Sequence, residues 1–508
     1  MRQGTNTIIG RFPRAQRGQA MVLALVCMIV FVVGVLVLFN TGQAVNKKVQ
    51  LNNTADAAAY SAAIQQARAY NLIAYLNRAQ VGNEIAVAQM VSLHSWMNYT
   101  ISATDHFADA INDIGYALDL SIIGAEVGVE LNEIATEIQE MKQGLEEGRD
   151  VLKGVFTAGI TVIGTANEIY SEAARALALA ELGEVPQVAR SVVIENTKTV
   201  DGNTDREASI DTAGYGILEQ QAIEANKKYV RLYEIPTSRG PGSNPRHTAD
   251  ADRLQNVVMQ ARDLFSSNRD GDLFIVHKRG GTDLISYNRW VGLDSMDLRF
   301  SVPLPFVPDV KVPLAWGGAA AVRSNSGGGF RNLTAENIWT GWSNPYDKRF
   351  YKAYGDNGSN DKAGPKARKD PAQPDQNEAI LTGYTGLHSY EDTDKGYAIE
   401  PSGGNNTTNV GPVFTVFVVQ KQADIRTSSN IPNMGGKGDV TAPDNMPHNR
   451  MTALSSAQVY FNRSNKLFRR DDGKREMGNL FSPYWQVRLV DTPDPIRLEI
   501  VAADSVGL

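Results

Sequence analysis

Twenty consecutive residues without a charge, Ala20–Phe39 (AMVLALVCMIVFVVGVLVLF), constrain this chain more than any other feature. Coiled as a helix, the run spans about 30 Å at roughly 1.5 Å per residue, the thickness of a hydrocarbon core. Gly34 is its one small break, and membrane helices tolerate glycine. Arg2, Arg11, Arg14 and Arg17 precede the run with no acid among the first nineteen residues, while Lys47 and Lys48 come after it. The basic excess on the N-terminal side makes residues 1–19 a cytoplasmic tail and 20–39 a single transmembrane helix. The rest of the chain then lies outside, beyond a bacterial inner membrane. Two other readings compete. A cleaved signal peptide could use Gly42-Gln43-Ala44, but its apolar stretch is normally only about 7–15 residues long. A buried soluble helix would show an amphipathic pattern, and the run has none.

Composition adds limits rather than an identity. With 42% hydrophobic and 21% charged residues, the chain has the balance of a folded protein, not of a disordered one. Its net charge of −6 offers no basic footprint, so nucleic acid is not an expected partner. The single cysteine, Cys27, sits inside the apolar run, so no intrachain disulfide can form. Stability must come from a core, which 508 residues can supply.

Proline divides the remainder of the chain. None occurs between Pro13 and Pro186, and twenty of the twenty-one lie at Pro186 or later. Proline costs about 3 kcal/mol in a helix interior, so this stretch suits long helices. Residues 44–182 are expected to be helical, as a segment from Ala44 to about Trp96 and then segments near 103–150 and 153–182. Short connections at Ser102–Asp105 and Gly144–Asp150 would fold them into an antiparallel bundle. Asn40-Thr41-Gly42 is the place for a bend if the membrane helix does not run straight on. In the first segment Ala67, Ala74, Val81 and Ala88 recur every seven residues, as do Leu72, Ala79, Ala86 and Leu93. Two such stripes imply packing on more than one side. Between them Asn71, Tyr75, Arg78 and Gly82 form a mostly polar line. That line is either solvated or a hydrogen-bonded contact with other helices or a partner.

Beyond about residue 190 the texture becomes α+β, with an antiparallel or mixed sheet. Leu273–Arg279 and Leu284–Trp290 read as a hairpin about Gly280-Gly281. Val413–Gln420, Ala457–Asn462 and Tyr484–Val490 read as strands. Ala249–Ser267 keeps a helical pattern, with Leu254, Val257, Val258, Ala261 and Leu264 on one side. Pro303, Pro305, Pro308 and Pro313 mark an extended segment at a sheet edge. Residues 354–377, almost without apolar content, read as a mobile loop, and Asn430–Asn449 as a further connection.

No catalytic constellation emerges. His94, His106, His247, His277, His388 and His448 show no paired spacing, and no zinc motif is present. Asn268, Asp270 and Asp272 begin like a calcium loop, but Leu273 and Arg279 stand where glycine and glutamate are needed, so a turn is expected. Gly435-Gly436-Lys437-Gly438 lacks the leading glycine and trailing hydroxyl residue of a phosphate loop. No D-x-S-x-S triplet, no nucleophile elbow and no dinucleotide fingerprint occur. The sequence therefore points to a non-enzymatic protein with neither cofactor nor metal.

One arrangement is distinctive. Arg17-Gly18-Gln19-Ala20, the apolar run, and Leu51-Asn52-Asn53-Thr54-Ala55-Asp56-Ala57-Ala58-Ala59-Tyr60 together resemble the Tad/Flp pilus-assembly family of TadE/TadG-like proteins, over about residues 14–65. The tail Gly478–Leu489 (GNLFSPYWQVRL) is similar to larger members. The resemblance implies an inner-membrane component of a pilus or secretion apparatus. Arg14, Arg17, Gly18, Gln19 and Ala20 would carry the family motif and the membrane orientation. Asn53, Ala55, Asp56 and Ala59, with Asn71, Tyr75 and Arg78, are candidates for helix packing or partner contact. The implied partners are the lipid bilayer, other assembly proteins and, through the alanine-rich run, a second copy in a homo-oligomer. Gly18 precedes the apolar run as in processed pilins, but Leu23 occupies the position of their glutamate, so peptidase processing is not expected. A membrane-anchored adhesin or binding module is the alternative reading, and an extracytoplasmic hydrolase the third.

Overall fold

The computed structural model describes residues 17–119, 125–198, 208–210, 212–235, 249–300, 310–323, 379–393, 410–421, 450–463 and 478–506. Two helices dominate it. Helix α1 runs without interruption over Arg17–Asp119, 103 residues and so about 155 Å. Helix α2 covers Ala125–Thr197 and returns antiparallel along it. Gln65 bonds Glu181 and Glu184, Asn83 bonds Asn167, and Lys142 pairs with Asp105. Partner numbers fall as α1 numbers rise, which fixes the direction.

Two expected breaks need correction: Ser102–Asp105 and Gly144–Asp150 are continuous helix, and the open question at Asn40-Thr41-Gly42 resolves as a helix that runs straight on. Their polar residues are tolerated because the helix accommodates them: Ser102 is buried and accepts through its carbonyl from His106, and Asp105 pairs with Lys142. Helix α2 also continues through Pro186 to Thr197, past the expected end at 182. Val185, Ala189 and Val193 are fully buried in that last portion, and their packing outweighs the proline's missing N–H.

Against this pair sit three sheets: an antiparallel one in the order β1-β9-β10-β11, a ribbon β2-β8, and a mixed one in the order β3-β4-β5-β6-β7. The first joins β1 (Ser209–Ile210), β9 (Val410–Lys421), β10 (Arg450–Phe461) and β11 (Trp485–Val490). The ribbon pairs β2 (Arg231–Tyr233) with β8 (Tyr390–Asp392). The mixed sheet holds β3 (Gly271–Leu273), β4 (Val276–Ser286), β5 (Arg289–Phe300), β6 (Val310–Ala321) and β7 (Ile380–Leu381), with only β6–β7 parallel. Helices α3 (Thr212–Tyr229), α4 (Ala249–Ala261), α5 (Leu264–Ser267) and α6 (Asp494–Val506) complete the described elements. The expected α+β class, with a long apolar helix running into helices and then antiparallel and mixed sheets, is the class observed.

Strand details depart from expectation in instructive ways. Gly280-Gly281 is not a turn but the middle of β4, and the hairpin turns lie at Phe274-Ile275 and Tyr287-Asn288. Glycine is needed there because a Cβ on Gly280 would collide with the Asp294 carboxylate and stand 3.0 Å from Arg269 Cβ. Pro313 lies within β6, at the register shift opposite Met296–Asp297, and away from the short stretch paired with β7. Proline is found in sheets at such irregularities and along unpaired edges. The expected helix Ala249–Ser267 is split into α4 and α5: Leu254 and Val258 of α4 are buried, but Ala261, at its end, and Leu264, which opens α5, face outward. The expected loops at 354–377 and 430–449, and Pro303, Pro305 and Pro308, lie outside the described residues.

Two cores are strung along α1. The proximal one joins Leu51, Ala55, Ala59 and Tyr70 to Val185 and Ala189 of α2, Leu218 of α3, and Phe414, Val459 and Trp485. The distal one joins Val87, Ala88 and Val91 to Ile160 of α2, Leu254 and Val258 of α4, and Trp290, Leu381 and Tyr390. Of the two seven-residue stripes, Ala67, Ala74, Val81 and Ala88 are buried, whereas Leu72 and Leu93 remain 46% and 42% exposed. The helices are thus a spine laid through the domain. They do not hold the sheets at a distance, since Lys48 already donates to the carbonyl of Thr452.

The buried face of the long helix as candidate functional site

From Ala20 to Phe39 no residue of α1 is buried, and neither α2 nor any described sheet covers the run. The helix is long and apolar enough there to cross a membrane. Burial starts at Asn40 and is established by Leu51, which is 1% exposed. One helix is therefore bare at its apolar end and enclosed at the other.

The enclosed part carries a stripe that apolar periodicity does not show. Tyr70, Asn77, Glu84, Val91 and Asn98 recur every seven residues and all are buried. Asn77 Nδ2 donates to the carbonyls of Glu391 and Leu480, both at 2.7 Å. Asn98 Nδ2 donates to the carbonyl of Gly318 at 2.8 Å. Between them Glu84 accepts from Trp290 Nε1 at 3.0 Å, from the Tyr384 hydroxyl at 2.7 Å and from Asn167 Nδ2 at 3.1 Å. Burial holds the Glu84 carboxyl above the usual range, although its three donors pull the other way. One side chain thereby ties α1 to α2, β5 and the segment after β7.

Flanking polar residues extend the attachment. Asn71 Nδ2 donates to the Trp485 carbonyl at 3.0 Å and its Oδ1 accepts the Trp485 N–H at 2.9 Å, while Tyr70 meets the indole edge-on at 5.2 Å. Arg78 Nε donates to the carbonyl of Phe481 at 2.5 Å. The segment Gly478–Tyr484 is held from its other side by Asp392, which accepts from the N–H of Leu480 at 2.7 Å and pairs with Arg253. Asp392 is buried and its carboxyl is raised by that burial, with Arg253 opposing. Further along, Ser95 donates to Asp294 at 2.8 Å, and Arg269 binds the same carboxylate at 2.8 Å and 3.0 Å. Ser92 bonds Thr282 at 2.7 Å.

Closest approach occurs at Gly317. A Cβ there would collide with the Tyr99 nitrogen and stand 2.6 Å from the Ser95 carbonyl. Strand β6 can lie backbone to backbone on α1 only because this residue has no side chain.

The structure spreads the residues singled out from the sequence over bare and buried parts of α1. Arg14 lies outside the described residues, Arg17, Gly18 and Gln19 open α1, and Ala20 is exposed. Ala55 and Ala59 are fully buried in the proximal core, Asp56 is half-buried, and Asn53 is exposed. Asn71 and Arg78 are brought together on the 481–485 segment, but Tyr75, between them, is 59% exposed. Sequence reading missed Asn77, Glu84, Asn98, Arg253, Arg269, Asp294 and Asp392. The only available signal was the spacing of Asn77, Glu84 and Asn98 on the same seven-residue grid as Tyr70. Among the described residues, no group of three or more His, Cys, Asp or Glu is placed to hold a metal ion. The geometry is that of attachment: side-chain amides and carboxylates satisfy main chain and one another.

No curated protein and no solved structure matches the chain. The Tad family model, described as Flp pilus-assembly TadE/G-like, matches residues 18–67. That stretch takes in the bare apolar run and the first buried turns of α1, and there the chain is similar to the TadE/G-like segment of the Tad family.

Proposed function

We propose that the protein is a non-enzymatic, single-pass component of a Tad/Flp-type pilus-assembly or secretion apparatus, with its N-terminus in the cytoplasm. The domain built on α1 then stands outside the inner membrane and contacts other assembly proteins. The observation that carries the reading is the continuity of α1: one helix is an uncovered apolar rod over Ala20–Phe39 and the spine of two cores beyond Leu51. The TadE/G-like match over residues 18–67 supports the pilus association. The arginines before the run support the orientation, because basic residues are retained on the cytoplasmic side.

The test is protease digestion of spheroplasts carrying the full chain, and then cross-linking in intact cells. Digestion of everything beyond about residue 44, and cross-links to pilus-assembly proteins, are expected. A chain that resists external protease but is cut in inverted vesicles would overturn the orientation. Loss of the gene with unchanged piliation would overturn the assembly role.

A second reading, an anchored binding module, draws on one observation. At the tip of the β3–β4 hairpin Leu273, Phe274 and Ile275 are 66%, 93% and 44% exposed, and Phe274 adopts φ +52. A bulky residue seldom occupies that backbone region, which glycine or asparagine normally fills. Lys278 stacks over Tyr99, so the hairpin points beyond Tyr99, away from the apolar run. Binding of the full chain to a glycan or host surface, abolished by Phe274→Gly, would favour this reading.

A further inference from the structure

Helix α2 has a second apolar face that the described residues leave exposed. Its inner face packs towards α1 through Ile160, Ala174 and Ala178, all buried. At 100° per residue the opposite side carries Val151, Val155, Ala158, Val162, Thr165 and Ile169, and every one of them is exposed. Val151 and Val162 are each 69% exposed, Val155 59% and Ile169 58%. The outer face of a surface helix is ordinarily polar. On α2 the residues alternate at intervals of four and three, the spacing of the apolar positions in a coiled-coil seam. Glu172 takes the next seam position on one side, and Gly148 and Gly144 the preceding ones on the other. The seam is therefore about 27 Å long, at 1.5 Å per residue.

We propose that this seam packs against the same helix of a second copy, parallel and in register, so that the assembled form is a dimer. Apolar residues alternating at four and three form the ridge by which one helix packs along another. Val155, Val162 and Ile169 put a branched residue at every first position of the repeat, and Val151, Ala158 and Thr165 stand at the fourth. The second copy is dictated by the fold. Helix α2 is tied antiparallel to α1, and α1 carries the apolar run, so copies anchored in one membrane present their seams at one height and in one direction. A two-fold axis along the bilayer normal then sets each seam residue against its own counterpart. One flank of the seam is small, at Ala166 and Ala173. A seam this short would be weak between free peptides. Both helices are already formed, however, and confinement to one membrane raises their effective concentration. The proposal rests on the reading of the apolar run as a membrane anchor.

The lone Cys27 makes the test direct. In a Cys27→Ser background the full chain has no thiol, so single cysteines can be placed at Val155, Val162 or Ile169 on the seam and at Glu168 or Glu195 off it. Membranes of a bacterium expressing each variant are oxidised with copper phenanthroline. A disulfide-linked homodimer is expected at the three seam positions and at least tenfold less at the two others. Equal cross-linking everywhere, none on the seam, or adducts with a different protein would each overturn the proposal. Val162→Glu, at a surface position, is expected to cut the seam cross-link through cysteine at Val155 at least tenfold while the urea midpoint of the solubilised chain is unchanged. An unchanged yield would overturn it. Carbonate extraction of the same membranes reads the anchor separately: a chain retained in the pellet without seam cross-links loses only the dimer, whereas a chain released to the supernatant loses the anchor.

Discussion

Asn71 and Trp485 are bonded twice, the amide side chain of one matching both the N–H and the carbonyl of the other across 414 residues of sequence. The pair closes the proximal core by fixing the start of β11 on α1. Removing it with Asn71→Ala leaves two main-chain groups to find water, and is expected to cost about 1–3 kcal/mol. The urea midpoint of the solubilised full chain checks this. Asn71→Asp should cost no less, because a carboxylate cannot donate to the Trp485 carbonyl.

Gly317 and Gly82 offer a matched contrast. At Gly317 a methyl group would collide with the α1 backbone at Tyr99, so Gly317→Ala is expected to destabilise by about 3 kcal/mol. At Gly82, inside α1, nothing lies within 4 Å of the added carbon. Gly82→Ala is expected to stabilise by about 0.5–1 kcal/mol, through helix propensity alone. Thermal unfolding of both variants should move in opposite directions.

Arg269 and Asp294 are an ion pair with side chains only 2% and 0% exposed. Asp294→Ala would strand a guanidinium in the interior, and breaking such pairs costs about 3–5 kcal/mol. The distal sheet should then lose amide-exchange protection at β4 and β5, while the proximal sheet keeps it.

Glu181 and Glu391 each have a carboxyl raised to about 7, from an ordinary 4.5, chiefly by burial. Glu184 adds repulsion at Glu181, and Gln65 there and Arg175 at Glu391 oppose the shift. Both groups hold protons in the folded state that the unfolded chain releases. Their contribution is therefore fully present below about pH 4.5 and declines as pH rises to about 7. Glu84 acts with the same sign. Glu181→Gln should flatten the loss of stability between about pH 4.5 and 7 and raise the melting temperature at about pH 8. A steeper slope in the variant would contradict this.

Legibility in the sequence depended on where each residue's partner lies. Freedom from proline over 172 residues and the abundance of alanine made long helices readable, because helix formation is a local preference. The strands around Val413–Gln420 and Tyr484–Val490 were readable from their branched and aromatic content. The helix breaks at Ser102 and Asp105 were misplaced because those residues weaken a helix only where nothing supports it, and Ser102 is buried while Asp105 pairs with Lys142. The buried polar stripe was hidden for the same reason. Asn77 and Glu84 look like surface residues until Leu480, Trp290 and Tyr384 arrive from 403, 206 and 300 residues away. Gly280 mimicked a turn because the Arg269 side chain that demands it cannot be seen locally.

Since α1 passes from the apolar run to Tyr99 with no joint, the molecule has no slack between its two ends. A push, tilt or twist applied to the bare apolar end arrives about 90 Å away, counting 1.5 Å per residue beyond Phe39, as the same displacement of the sheets packed on α1. Mechanically the protein is a crankshaft rather than a tethered bead, and what drives its shaft also turns its load.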